Sequence, residues 1–136
     1  MAATLTGCAD TSVGTAVAAD RPGLLDDLRS LAGTWIGSYQ CAQGATGLTL
    51  TVQPKTKAEF AFYPLPENPT VASGTFTMNW QAESDRIVFR KSSWIDRPGS
   101  YVMVDLIADH TGSTTTLTGT VVGAGCTTFW LQRDVT

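Results

Sequence analysis

Between residues 34 and 133, apolar and polar residues alternate in short runs, and turn residues interrupt them about every 8 to 12 positions. A period of two cannot present one apolar face on a helix, so it confines this part of the chain to half-buried β-strands. Eight runs carry the pattern: 34–41, 48–55, 58–64, 74–81, 86–95, 101–108, 115–122 and 126–133. The segments between them are too short for the crossover that parallel neighbours need, so consecutive runs pair antiparallel. The longest connection, residues 64–70, contains Pro64, Pro66 and Pro69, which cannot donate to a ladder, and is expected as a stiff exposed loop. The fold class is therefore all-β. Eight antiparallel strands either close as an up-and-down β-barrel or split into two sheets.

The chain has 136 residues, enough for one domain with a short appendage. Hydrophobic residues make up 43% and charged residues 15%, so a core can form and disorder is not expected. Nine Lys and Arg stand against twelve Asp and Glu, a formal net charge of -3, without the basic excess that nucleic-acid binding needs. No uninterrupted apolar run approaches the roughly 20 residues of a membrane-spanning helix.

Residues 1–23 are rich in Ala, Thr, Gly and Ser and show no apolar periodicity, as in a tether. Within them Leu5-Thr6-Gly7-Cys8 resembles the lipobox of bacterial lipoproteins, and Val13-Gly14-Thr15-Ala16-Val17 resembles the start of mycobacterial and related actinobacterial lipoproteins. The resemblance implies export, a diacylglycerol on Cys8 and contact with the membrane only through that anchor. No basic region and no long apolar stretch precede Leu5, so the start reads as truncated; the other reading of Cys8 is a free thiol. Leu24, Leu25, Leu28 and Leu31 then recur at helical spacing between Asp20 and Gly33, which predicts one short amphipathic helix at the head of a barrel domain over residues 24–136.

Cys41 ends the first run and Cys126 begins the last. In antiparallel neighbours the end of one strand faces the start of the other, so a Cys41–Cys126 disulfide fits a sheet closed between its first and last strands. The chain-entropy model gives such a long loop roughly 4 to 5 kcal/mol of stabilisation. Two buried thiols are the alternative, and the spacing does not suit a metal site.

Gly33-Thr34-Trp35 after a short helix resembles the G-x-W opening of lipocalins, avidins and related calycins, and Arg133 matches their Arg on the last strand. This calycin-like resemblance implies a barrel closed at one end by a cation–π contact of Arg133 on Trp35. The strand parities conflict, however: Trp35 shares a face with Cys41, whereas Arg133 and Cys126 fall on opposite faces of a regular strand. A bulge intervenes or one pairing is wrong. Tyr39-Gln40-Cys41, the late Cys126, the lipobox and the barrel size also resemble the periplasmic lysozyme inhibitors of the membrane-bound lipoprotein type. Ala72-Ser73-Gly74-Thr75-Phe76 echoes their Ser-Gly loop in part, with Thr75-Phe76 where that family has Arg-Tyr.

Residues suited to catalysis are sparse. His110 stands beside Asp109 at a Gly-containing turn, and Asp105 sits within the sixth run. Asp105 is exposed if Val102, Val104 and Leu106 face inward; if Tyr101, Met103 and Ile107 do, it points inside toward Arg90. No nucleophile elbow, Cys-His pair or phosphate-binding glycine loop is present, and no cofactor or metal is implied. The aromatic residues say more. An eight-stranded barrel is just wide enough to be filled by side chains or to hold one small ligand. The expected ligand-binding residues are Tyr39, Phe62, Trp80, Phe89, Met103, Asp105 and Trp130. Connections after odd-numbered strands share one end, so Tyr63, Leu65, Trp94 and Ile95 are expected as a partner-docking patch there. The function that fits is binding of a small apolar molecule without chemistry, the alternative being an interaction or inhibitor module that meets a cell-envelope protein through its loops.

Overall fold

The computed structural model describes residues 31–83, 85–109 and 115–134. The tether, Cys8, the predicted helix up to residue 30 and His110 lie outside them. Eight strands follow in order: β1 Gly33–Cys41, β2 Gly44–Val52, β3 Lys57–Tyr63, β4 Gly74–Ala82, β5 Arg86–Asp96, β6 Asp105–Asp109, β7 Thr116–Val122 and β8 Thr128–Arg133. Each pairs antiparallel with the next, and β1 pairs with β8 from Trp35↔Arg133 to Tyr39↔Phe129, so the sheet closes as a barrel.

Alternation sets the core. Leu48, Leu50 and Val52 on β2, Ala58, Phe60 and Phe62 on β3, and Phe76, Met78 and Trp80 on β4 are all buried, every second residue turning inward. Leu106, Ala108, Leu117, Val121, Phe129 and Leu131 complete the far wall. Each large apolar side chain fully buried in this way contributes about 1.5 to 3 kcal/mol.

One end of the barrel is shut. Leu31 is buried there, Trp35 Nε1 donates to its carbonyl at 3.0 Å, and the Arg133 guanidinium lies 4.3 Å from the centre of the Trp35 ring. Arg133 Nη1 also donates to Ala32 O at 2.9 Å. Gly33 sits at φ 132°, where a side chain would be strained, and a Cβ there would press on Arg133 Nη1 at 2.8 Å. Trp80 Nε1 donates to Gln53 O at 3.0 Å, fastening the β2–β3 turn over the same end.

Three boundaries differ from the sequence pattern. β2 starts at Gly44, so β1 and β2 form a tight hairpin around Ala42 and Gln43. β6 starts only at Asp105, because Tyr101 folds back on Pro98 O through its backbone N–H, and residues 97–104 form an irregular connection. β8 starts at Thr128, and Cys126 lies in the preceding turn, with its N–H donating to Gly123 O.

That last difference resolves the parity conflict. Cys126 is outside the ladder, so the Cys41–Cys126 disulfide and the Arg133–Trp35 contact coexist. It also corrects Trp130, expected inside: Phe129 and Leu131 are the inward residues of β8, and Trp130 is 49% exposed on the outer face.

A register shift between β4 and β5 makes a second correction. Phe76 faces Trp94 while Met78 faces Lys91, so β5 carries an extra residue there and its parity inverts; a second extra residue falls between Trp94 and Asp96, which faces Thr75. Phe89 and Trp94 therefore both turn inward, and Trp94, expected in an exposed patch, stacks edge-on against Phe76 and Phe62 at 5.3 and 6.2 Å. The hydroxyl of Thr77 accepts from Ser93 N–H at 3.2 Å and repairs the ladder where the shift interrupts it.

Candidate functional site

The open end is built by the connections that follow β1, β3, β5 and β7. Between them lies a cavity of about 440 Å³ that opens to solvent. Its inner wall is aromatic. Phe60 and Phe76 stack at 4.5 Å and 17°, and Tyr39 meets Phe60 edge-on at 5.2 Å. Phe62 stacks on Tyr101 at 5.5 Å and 9°. Val102, Val104, Ala42 and the Cys41–Cys126 disulfide complete the rim.

One side of this cup is polar. Gln43 Nε2 donates to Thr46 Oγ1 at 3.0 Å and to the Tyr39 hydroxyl at 3.4 Å, and Thr46 Oγ1 donates to Gly44 O at 3.2 Å. Thr46 is fully buried although its neighbours are apolar, which its hydrogen bonds allow. Burial, and secondarily Tyr101 nearby, push the Tyr39 hydroxyl well above its usual pKa, so Tyr39 is a neutral donor at any physiological pH. Asn68 holds the corner in place: its Nδ2 donates to Gln43 O at 2.7 Å and to Ala45 O at 3.0 Å, tying the loop after β3 to the β1–β2 hairpin. No charged side chain lines the cavity among the described residues. Arg97 reaches the rim but is held there, its Nε donating to Tyr101 O at 2.9 Å and its guanidinium lying 5.7 Å from the centre of Trp94.

The residues expected to bind ligand divide into groups. Tyr39 and Phe62 line the cup. Trp80 and Phe89 are buried, 6.4 Å apart, but pack the core below it, and Met103 is half-buried in the irregular connection. Asp105 corrects to the outer face, because Val104, Leu106 and Ala108 are the buried set. Its Oδ1 accepts from Lys91 N–H at 2.8 Å and lies 3.5 Å from Lys91 Nζ, continuing the β5–β6 connection past the last ladder pair at Phe89↔Leu106. Arg90 is exposed beside Asn79 instead of meeting it.

The docking residues also separate. Tyr63 turns to the outer face, where its hydroxyl meets Thr49 Oγ1 at 3.0 Å, while Leu65 bridges to Asn68 within its own loop. Only Ile95 stands clear, 59% exposed. The Ser-Gly echo is split: Ala72 and the exposed Ser73 lie in the connection, while Gly74 opens β4 and both Gly74 and Phe76 are buried.

The pattern missed Tyr101, Gln43 and Thr46. The alternation puts Tyr101 in a regular strand, whereas it precedes β6, and the polar corner depends on a hairpin that begins earlier than the apolar alternation. Comparison with family models, curated proteins and solved structures gives no match to this chain.

Proposed function

We propose that this protein is an exported lipoprotein, anchored through Cys8, whose barrel binds a small, uncharged, largely apolar molecule in its open end and performs no chemistry on it. The observation that carries the reading is the cup itself. Aromatic residues wall a cavity of about 440 Å³ at the end opposite the Trp35–Arg133 closure, and a polar corner at Tyr39 and Gln43, backed by the buried Thr46, is positioned to orient a guest. The uncharged lining favours a neutral molecule over a fatty acid, whose carboxylate would lose solvation without gaining a cation. The disulfide fits an oxidising, extracytoplasmic setting.

Native mass spectrometry of the gently purified chain, before and after denaturation, tests the reading, together with titration by the neutral fluorophore N-phenyl-1-naphthylamine. Extra mass that leaves on unfolding, or saturable enhancement of the fluorophore, supports it. A bare chain that also leaves the fluorophore unaffected overturns it. A second reading, docking of a cell-envelope protein on the same end, draws on Val102 and Ile95, which are 71% and 59% exposed at the rim.

A further inference from the structure

The outer face of the barrel is not uniform in charge. β7, β8, β1 and β2 together carry one charged residue, Arg133, and it turns inward onto Trp35. The other charged strand residues sit on β3, β5 and β6. From the uncharged side onto the end of β3 the register places Thr118, Trp130, Ser38, Gly47 and Tyr63 in one row perpendicular to the strands, with Lys57 and Glu59 of β3 toward the other end of that strand.

Two of these five are aromatic. Trp130 is 49% exposed, with Thr118 and Ser38 as its cross-strand partners and Ile36, 42% exposed, diagonal to it on β1. Tyr63 leans back over Gly47, where any Cβ would collide with its ring, and its hydroxyl is fixed by Thr49 Oγ1 at 3.0 Å. The tyrosine ring is thus held flat over β2, two strand spacings from β8, which puts the rings about 10 Å apart with only a serine and a glycine between them. Thr120, Thr128, Gln40 and Gln132 are exposed around the row and supply hydroxyls and amides.

We propose that this row is a binding platform for an extended, uncharged polysaccharide. The apolar C–H face of a sugar ring stacks on an aromatic ring, while its hydroxyls need donors and acceptors at the flanks. Two rings set two strand spacings apart leave room for an extended chain that crosses the strands and stacks on both. An uncharged surround suits a neutral polymer. A lone exposed tryptophan is ordinary on a protein surface; a second ring in the same row, fixed by a glycine that leaves room for it, turns the exposure into a platform. This site is separate from the cup and does not depend on a ligand there.

Affinity electrophoresis of the intact chain through gels containing hydroxyethylcellulose, xylan or glucomannan tests the platform, with tryptophan fluorescence titrations of cellohexaose and chitohexaose beside it. At least one of these neutral glycans is expected to retard the protein. Trp130→Ala and Tyr63→Ala should each weaken association tenfold or more, Trp130→Phe and Tyr63→Phe should keep most of it, and Arg90→Gln on the charged side should leave it unchanged. Thermal melts confirm that each variant is folded, and Tyr63→Phe keeps the ring over Gly47 if the alanine variant is not. Absence of retardation by every glycan overturns the proposal, as does retardation that survives Trp130→Ala. So does a wild-type dimer in sedimentation that Trp130→Ala converts to monomer, because the face would then bind a second copy of the chain.

Discussion

Tyr101 lies parallel to Phe62, ring centres 5.5 Å apart, although the two come from structurally unlike segments: Phe62 from a regular strand and Tyr101 from a connection with no ladder. Besides its N–H bond to Pro98 O, three further contacts of this one residue hold the irregular segment. Its ring stacks on Phe62, its carbonyl accepts from Arg97 Nε, and its hydroxyl accepts from Ala72 N–H at 3.4 Å. Tyr101→Ala should therefore loosen the connection while leaving the barrel intact. A loss of about 1 to 2 kcal/mol in urea titration is expected for a half-buried aromatic pair, with weaker binding of N-phenyl-1-naphthylamine.

The disulfide joins residues separated by 85 positions and ties the end of β1 to the turn before β8. Cys41→Ser with Cys126→Ser should cost roughly 4 to 5 kcal/mol on the chain-entropy model. Thermal melts with and without a thiol reductant measure the same quantity, and the wild-type mass should fall two hydrogens short of the reduced chain.

Tyr39 makes stability sensitive to alkali. Its folded pKa lies above the unfolded value of 10.0 because burial disfavours the phenolate. Below pH 10 both states hold the proton and its effect on stability is flat. Above it the unfolded chain releases a proton that the folded chain retains, so stability falls as pH rises. Tyr39→Phe should remove that part of the alkaline slope, which urea midpoints between neutral and strongly alkaline pH will show.

At the shut end, Arg133→Gln removes the cation over Trp35 and the charged bond to Ala32 O. A loss of about 2 to 3 kcal/mol is expected. A shift in the emission of Trp35 would locate the change at that end.

Strand number, antiparallel order and the faces of β3 and β4 were legible because Phe60, Phe62, Phe76, Met78 and Trp80 alternate without interruption. Parity counting fails wherever the ladder is irregular. The extra residue in β5 between Lys91 and Trp94 turned Trp94 inward, and moving Cys126 out of β8 turned Trp130 outward. Of the cup, Tyr39 and Phe62 were readable as inward strand residues. Tyr101 and Gln43 were not, because each is placed by a turn whose geometry rests on distant partners, Phe62 and Asn68. Gly47 gave no sign of its role, which appears only once Tyr63 is seen lying on it.

Closure between β1 and β8 has a consequence for how this protein meets others. Every strand has a neighbour on both sides over at least part of its length, so among the described residues the main stretch of strand left without a ladder on one side is β5 beyond the Phe89↔Leu106 pair. Association by β-addition, and the runaway self-templating that starts the same way, are confined to that short segment of β5 instead of running the length of an open sheet edge. Elsewhere partners come to an end or to an outer face, where side chains rather than backbone decide who is accepted.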